Sequence, residues 1–133
     1  MNQNDAQQFA QEWVRSWNAG EVDAILEHFA DEVTFTSPLA QRLVPESGGV
    51  IRGKAALRSY WTEGLRRNPS LEFELVAVYT GVGSVVINFR NETGALANEV
   101  LIFAGDRVIA GYGTYLSEPA SMSPGALATT PSA

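Results

Sequence analysis

The chain has 133 residues, of which 45% are hydrophobic, and a formal net charge of -6 with no cysteine. This length fits one domain with a self-sufficient core, and the composition argues against a wholly disordered or fibrous protein. An acidic surface without a Lys/Arg run argues against nucleic acid as a partner, and a chain with no cysteine and a single histidine, His28, is not expected to hold a metal.

The first part of the chain predicts two successive helices that face one core. Phe9, Trp13 and Trp17 recur at four-residue steps and form an apolar stripe on a helix that ends at Gly20. A second, short helix is predicted from Glu21 to Phe29 or Ala30, where apolar residues follow the i, i+3, i+4, i+7 pattern.

The next segment predicts a strand, a loop and a third helix. Val33–Thr36 is β-branched and aromatic and predicts a short strand that ends before Ser37-Pro38. Residues 39–52 contain proline and paired glycines with weak periodicity, which indicates a long loop of the kind that borders a site. Gly53 opens a third helix, which ends before Asn68-Pro69.

The pattern then changes to strands separated by short turns that contain glycine. Such spacing predicts an antiparallel meander. The predicted strands are Leu71–Thr80, Ser84–Asn91, Ala95–Ala104 and Arg107–Tyr115.

The two ends of the chain carry no pattern of a targeting segment or a packed element. The amino terminus is polar and acidic, and no stretch is long and apolar enough to span a membrane, so we expect a cytoplasmic protein with no membrane partner. Residues 118–133 are rich in Pro, Ser, Ala and Thr and predict a flexible tail after a domain over residues 1–117.

The order of these elements and five short motifs carry a family resemblance. The motifs are Trp17–Glu21, Phe29–Val33, Ser37-Pro38, Gly53–Arg58 and Glu99–Phe103. Over about residues 6–116 the chain resembles the nuclear transport factor 2-like superfamily, which includes SnoaL-like polyketide cyclases and ketosteroid isomerases. The resemblance implies an α+β cystatin-like cone, in which three N-terminal helices pack on a strongly curved, mainly antiparallel sheet that encloses a pocket.

The resemblance also allows a test for isomerase chemistry. Ketosteroid isomerases combine a carboxylate base with two acidic hydrogen-bond donors, a phenol and a protonated carboxylic acid. The resemblance places Trp13 at the phenol of the first helix, and Ser37 at the base. It places Glu99 at the protonated acid and Trp61 at a tyrosine of the third helix. Because base and phenol are both replaced, we expect the isomerase fold without the isomerase arrangement for proton transfer.

The candidate catalytic residues follow from the alternation of side chains between the two faces of a strand. If a two-residue turn follows Asn91, Val86 pairs with Glu99, and Asn88 and Arg90 fall on the same sheet face as Glu99. The resemblance favours that face as the concave one. Glu99 is then a candidate acid or base if burial raises its pKa, while Arg90 and Asn88 orient a carbonyl, carboxylate or water. The alternative is an ordinary cross-strand ion pair of Arg90 with Glu99.

The rest of the predicted pocket wall is mainly aromatic. Such side chains suit a pocket for a small apolar molecule, and the same residues would equally fill a core. The predicted ligand-binding residues are Trp13, Trp17, Phe35, Ser37, Tyr60, Trp61, Leu101 and Tyr115.

Three functions remain open at this point. The first is acid–base catalysis without a cofactor, such as isomerisation, cyclisation or hydrolysis, on a small apolar substrate. The second is non-catalytic binding of a small hydrophobic ligand, and the third is a structural protein whose cavity is filled. We also expect a homodimer through the outer sheet face, because exposed apolar strand residues would otherwise contact water. These residues are Val85, Ile87, Phe89, Val100 and Ile102.

Overall fold

The computed structural model describes residues 1–117, so the predicted tail at 118–133 lies outside the described residues. Residues 1–117 form four helices and six strands, and a short 3-10 turn lies at Pro45–Ser47. None of these helices is long and apolar enough to cross a membrane. In chain order the elements are α1 (Gln3–Asn18), α2 (Val22–Leu26), β1 (Phe29–Thr36), α3 (Pro38–Leu43), β2 (Val50–Arg52), α4 (Lys54–Arg67), β3 (Glu74–Gly81), β4 (Ser84–Arg90), β5 (Leu96–Ala104) and β6 (Arg107–Tyr115).

The six strands form one sheet in the order β2-β1-β6-β5-β4-β3. Only β1 and β6 run parallel among these neighbours, so the sheet is mainly antiparallel as predicted. Register shifts interrupt the β1–β6, β3–β4 and β5–β6 pairs. Because bulges bend a strand and increase its twist, these shifts curve the sheet around the helices. The predicted α+β architecture is confirmed.

The segment predicted as a loop at 39–52 is instead structured. The Ser37 side chain caps α3 by accepting a hydrogen bond from the Leu39 N–H at 3.1 Å, and Pro38 occupies the first turn of the helix. β2 then pairs with β1, with Ile51 opposite Phe35. These elements are too short to produce a periodic pattern, which is why sequence reasoning missed them.

The boundary between α2 and β1 also differs from the prediction. The helix ends at Leu26, and the strand begins at Phe29 rather than at Val33. Phe29 pairs with Val108 of β6, a partner far away in sequence. Pairing with a remote strand overrides the helical periodicity of residues 21–30, because such local preferences are weak compared with tertiary packing.

The turn between β4 and β5 contains three residues, not two. The Asn91 N–H donates to the Ala95 carbonyl oxygen at 2.9 Å, which closes a loop over residues 92–94. Gly94 has a φ of 84°, the left-handed conformation that three-residue hairpin loops require. The two-residue turn assumed from the sequence is therefore wrong.

This extra residue reverses the predicted parity of β4. Ile87, not Val86, pairs with Glu99. Since neighbouring residues of a strand point to opposite faces, Asn88 and Arg90 lie on the face opposite to Glu99. The prediction that these three side chains share the inner face is wrong.

The same change corrects the predicted outer face. Three of the five residues expected there, Val85, Ile87 and Phe89, are buried on the inner side, while Val100 and Ile102 remain outside. An apolar row nevertheless crosses four strands on the outer face, and its end residues are 61% and 42% exposed. In sheet order it consists of Tyr79, Val86, Val100 and Tyr112. The homodimer through this face stays a prediction.

Candidate functional site

A cavity of about 90 Å³ lies between the inner face of the sheet and the helices α1 and α4. Its wall contains eight of the residues singled out from the sequence. One is the carboxylic acid Glu99; the others are Trp13, Trp17, Phe35, Ser37, Tyr60, Trp61 and Tyr115. Leu101 is fully buried in the core and does not line the cavity.

The wall is built from aromatic rings in contact with one another. Phe73 stacks on Trp13 with ring centroids 5.6 Å apart and lies 4.5 Å from Phe89. Trp17 meets Trp61 edge to face at 5.0 Å. Each such pair adds roughly 0.5–1.5 kcal/mol beyond the area it buries, so the wall is held in one arrangement.

Sequence reasoning missed two of these rings. Phe73 lies in the segment before β3 and Phe89 on β4, and both line the cavity. The wrong parity of β4 had placed Phe89 outside. The alternation of Leu71 with Phe73 was the signal that could have identified this part of the wall, because residues two apart on an extended chain share a face.

Among residues 1–117, Glu99 is the only ionisable carboxyl in the wall. It lies in the middle of β5, is 6% exposed, and has no hydrogen-bond donor or cation bound to its carboxyl among residues 1–117. Burial in this apolar environment raises its pKa to about 8. At neutral pH the carboxyl is therefore mainly protonated, and it acts as a hydrogen-bond donor.

The predicted polar partners of Glu99 lie elsewhere. Arg90 is on the outer side of the sheet, where its Nε is 3.8 Å from an oxygen of Glu74. Asn88 donates a hydrogen bond to the Asn98 Oδ1 at 2.8 Å on the same outer face. The predicted cluster of Glu99 with Arg90 and Asn88 does not exist, because the three-residue turn shifts the register by one.

Two phenols take their place beside the carboxyl. Tyr60 comes from α4 and Tyr115 from the end of β6, so the cavity contains phenols, although not at the position that the family resemblance marks. Burial raises the pKa of both phenols, and the charge of Glu99 raises them further, while hydrogen bonding with the Ser37 hydroxyl and the charge of Arg42 act in the opposite direction. Both phenols stay protonated and can donate.

Two glycines of β6 shape this end of the cavity. A Cβ atom on Gly111 would lie 2.8 Å from the Phe35 Cδ1, so the absent side chain makes room for that ring rather than for a ligand. A Cβ atom on Gly113 would lie 3.2 Å from the Ser37 Oγ. Gly113 lines the cavity directly opposite Glu99 across the β5–β6 pair.

Two indole N–H groups of the wall are buried without an acceptor. The Nε1 atoms of Trp13 and Trp17 have no hydrogen-bond partner in the described part of the chain. A buried donor left unpaired costs about 1–3 kcal/mol, so such groups are uncommon outside functional sites.

The described residues contain no group of three or more His, Cys, Asp or Glu side chains that could hold a metal ion. The chemistry available in the cavity is therefore that of hydrogen-bond donors and one titratable carboxyl on an apolar wall.

Comparisons with known proteins identify the family. The model of the SnoaL-like domain matches residues 10–116. A SnoaL-like protein of unknown function from Burkholderia thailandensis is 43% identical, with 86% of this chain and 96% of that chain covered and a TM-score of 0.81. The comparison with curated proteins found no match.

More distant structures share the fold alone. A protein with a cystatin-like fold from Methylobium petroleophilum is 12% identical, with 96% of this chain and 86% of that chain covered and a TM-score of 0.68. Bal32a, from a soil-derived mobile gene cassette, is 18% identical over 84% of this chain and 89% of that chain, with a TM-score of 0.69. The match over residues 10–116 and the similarity to the Burkholderia structure show that the chain belongs to the SnoaL-like family.

Proposed function

We propose that this protein binds a small, mostly apolar molecule in the aromatic cavity and that Glu99 transfers a proton to or from it without a cofactor. The observation that carries the proposal is a carboxyl that is 6% exposed, faces an apolar cavity and has no counter-charge among the described residues. A general acid or base works best when its pKa is near the working pH, and burial raises the pKa of Glu99 to about 8.

The size of the cavity limits the ligand. An apolar cavity of about 150 Å³ is known to take up benzene. A cavity of about 90 Å³ is smaller, so its enclosed part suits a group of about one ring or less, with the rest of the ligand extending through the opening.

The polar groups of the cavity favour a neutral oxygen on the ligand. Protonated Glu99 and the phenols of Tyr60 and Tyr115 are donors, and the indoles of Trp13 and Trp17 lack acceptors. No Lys or Arg lines the cavity among residues 1–117, so a carboxylate ligand would enter without a counter-charge. A ketone, aldehyde, ester or amide oxygen is the better match.

Non-catalytic binding of such a ligand is the second candidate. It is favoured by the absence of a second carboxylate or a histidine from the described cavity wall, since many acid–base enzymes pair two titratable groups. An experiment is therefore needed to distinguish ligand binding alone from ligand binding with proton transfer.

The test is a thermal-shift screen of small neutral carbonyl compounds, followed by incubation of each hit with the protein in D₂O. Loss of C–H signals next to the carbonyl in proton NMR reports proton transfer directly, without knowledge of the natural reaction. We expect exchange with the wild type and a drop of about 10²–10⁴-fold in Glu99→Gln. Glu32→Gln, at an exposed position, is the matched control and should behave like the wild type.

The outcomes separate the two candidates. Exchange that is equally fast in Glu99→Gln would show that Glu99 does not transfer the proton. Hits that bind and never exchange would support the non-catalytic function. A screen without any hit would contradict both.

A further inference from the structure

A surface cleft lies against the Ser37 end of the inner cavity. It has a volume of about 280 Å³ and lies between the end of β1, the start of α3, the Gly48-Gly49 turn and β6. Among residues 1–117, only Ser37 and Gly113 line both this cleft and the inner cavity. The partition between them therefore consists of one small hydroxyl side chain and one residue without a side chain.

This partition stands beside the buried carboxyl. Gly113 pairs directly with Glu99 across β5 and β6, so any side chain at 113 would point to the same face as Glu99. The Ser37 hydroxyl occupies part of that space, since a Cβ atom on Gly113 would lie 3.2 Å from its Oγ and 3.4 Å from its Cβ. Ser37 and Gly113, the two residues shared by the cavity and the cleft among residues 1–117, therefore lie on the side of the cavity where Glu99 stands.

A second side of the cavity lies away from the cleft. The half-buried residues Gly64, Leu65, Asn68 and Leu71, from the end of α4 and the segment that follows, line the cavity at that side. This side is mainly apolar and suits the entry of an apolar ligand. Gln41 and Thr114 are among the residues that line the cleft, and the Thr114 hydroxyl donates to the Asn98 carbonyl oxygen at 2.9 Å.

The Ser37 hydroxyl has the bonding capacity of a proton carrier. A hydroxyl offers one donor and two acceptor positions, and the Leu39 N–H uses one acceptor position at 3.1 Å. One donor and one acceptor position of the hydroxyl are left on the side of Tyr60 and Tyr115, whose phenols lie close enough for Ser37 to lower the pKa of each. A hydroxyl that accepts on one side and donates on the other can pass a proton.

We propose that the Ser37 hydroxyl, beside Gly113, forms a port through which Glu99 exchanges protons with the surface cleft, separate from the opening that admits the ligand. The inference rests on the proposed function in that Glu99 is the group that carries the proton. In one exchange the carboxyl O–H bond breaks, its proton passes to a hydroxyl, phenol or water oxygen at the partition, and a proton from the cleft side returns. Only O–H bonds change, and the net charge is conserved.

The charged and titratable groups around the carboxyl are consistent with this route. Tyr60 from α4 and Tyr115 from β6 interact electrostatically with Glu99, and Arg42 of α3 acts on both phenols. These three groups lie on the Ser37 side, whereas the tryptophans of α1 offer no titratable group.

The test follows deuterium exchange of the Glu99 carboxyl in the ligand-free protein. The protein is mixed rapidly into acidic D₂O, where the carboxyl is protonated, and the shift of its C=O stretching band is followed by infrared spectroscopy. Glu99→Gln removes the band and so assigns it. We expect Gly113→Ala to slow the exchange by about tenfold or more. Ser37→Ala should slow it equally, because the partition loses its hydroxyl. A tenfold change corresponds to about 1.4 kcal/mol in the free-energy barrier of the exchange.

Gly64→Ala is the matched control. It adds the same methyl group to the wall of the same cavity at the other opening, where a Cβ atom would have nothing within 4 Å. It should exchange at the wild-type rate. A wild-type or faster rate in Gly113→Ala, or equal slowing in Gly64→Ala, would overturn the port.

If Gly113→Ala does not fold, Ser37→Ala serves as the test, because this substitution adds no atoms to the protein. A wild-type or faster exchange rate in Ser37→Ala overturns the proposal. No ligand is present in this experiment. A failure of the port is therefore distinguishable from a failure of the proposed ligand chemistry.

Discussion

Glu99→Gln should remove a pH-dependent loss of stability that the buried carboxyl imposes on the wild type. In the unfolded chain the carboxyl has its ordinary pKa of 4.5, and in the folded chain burial raises the pKa to about 8. Between these values the folded state keeps a proton that the unfolded state has lost. The contribution of Glu99 to the free energy of unfolding is therefore greatest below pH 4.5 and falls as the pH rises toward 8.

The magnitude follows from the two pKa values. Each pH unit between them costs about 1.4 kcal/mol, and the whole interval costs about 5 kcal/mol. Small domains are stable by about 5–15 kcal/mol, so this loss is a large fraction of the total. The amide that replaces the carboxyl in the variant is neutral at all pH values and avoids the loss.

Urea unfolding followed by tryptophan fluorescence at several pH values between about 5 and 9 measures the effect. The stability of Glu99→Gln relative to the wild type should increase steadily from about pH 5 to pH 8 and then level off. The difference cancels the titration of all other groups. The control Glu32→Gln, at an exposed position, should differ from the wild type in stability by the same amount at every pH. The same constant difference in Glu99→Gln would refute the claim that the Glu99 carboxyl is buried without a counter-charge.

Three further substitutions test the rest of the structure. Gly111→Ala should destabilise the protein by about 1–3 kcal/mol in urea unfolding, because its methyl group would lie 2.8 Å from the Phe35 Cδ1; unchanged stability would contradict this packing. Arg90→Ala should change stability by less than about 0.5 kcal/mol and leave ligand binding intact, since Arg90 makes an exposed ion pair with Glu74 and an exposed hydrogen bond to the Gly94 carbonyl oxygen; a loss of binding would show that Arg90 contributes to the site. If the outer sheet face pairs with a second copy, light scattering should give a wild-type dimer and a Val100→Asp monomer, and a wild-type monomer at micromolar concentration would contradict the predicted dimer.

The sequence predicted the parts of the fold whose signals are local. The aromatic stripe of α1 repeats with the period of a helix and is buried as expected, and the turn signals located β4 and β6 to within one residue. The strand over Phe29–Thr36 and the strand at Val50–Arg52 depend on partners distant in sequence, and no local pattern marks them.

The sequence predicted most of the residues that form the candidate site. It did not predict which face of the sheet the residues of β4 point to. The aromatic wall and Glu99 follow from helix periodicity and from the family resemblance. The predicted roles of Asn88 and Arg90 depended on the number of residues in one turn, and the left-handed Gly94 makes that number three. A shift of one residue in register moves the side chains of a strand to the other face of the sheet. The error of one residue in the predicted length of this turn therefore removed Asn88 and Arg90 from the candidate site.

Direct titration of the Glu99 carboxyl tests the central claim of a protonated acid in an apolar cavity. In protein labelled with ¹³C in glutamate side chains, the carboxyl resonance that is missing in Glu99→Gln should titrate with a midpoint near pH 8. A midpoint near the ordinary value of 4.5 would show a solvated carboxylate and contradict the proposed acid–base role.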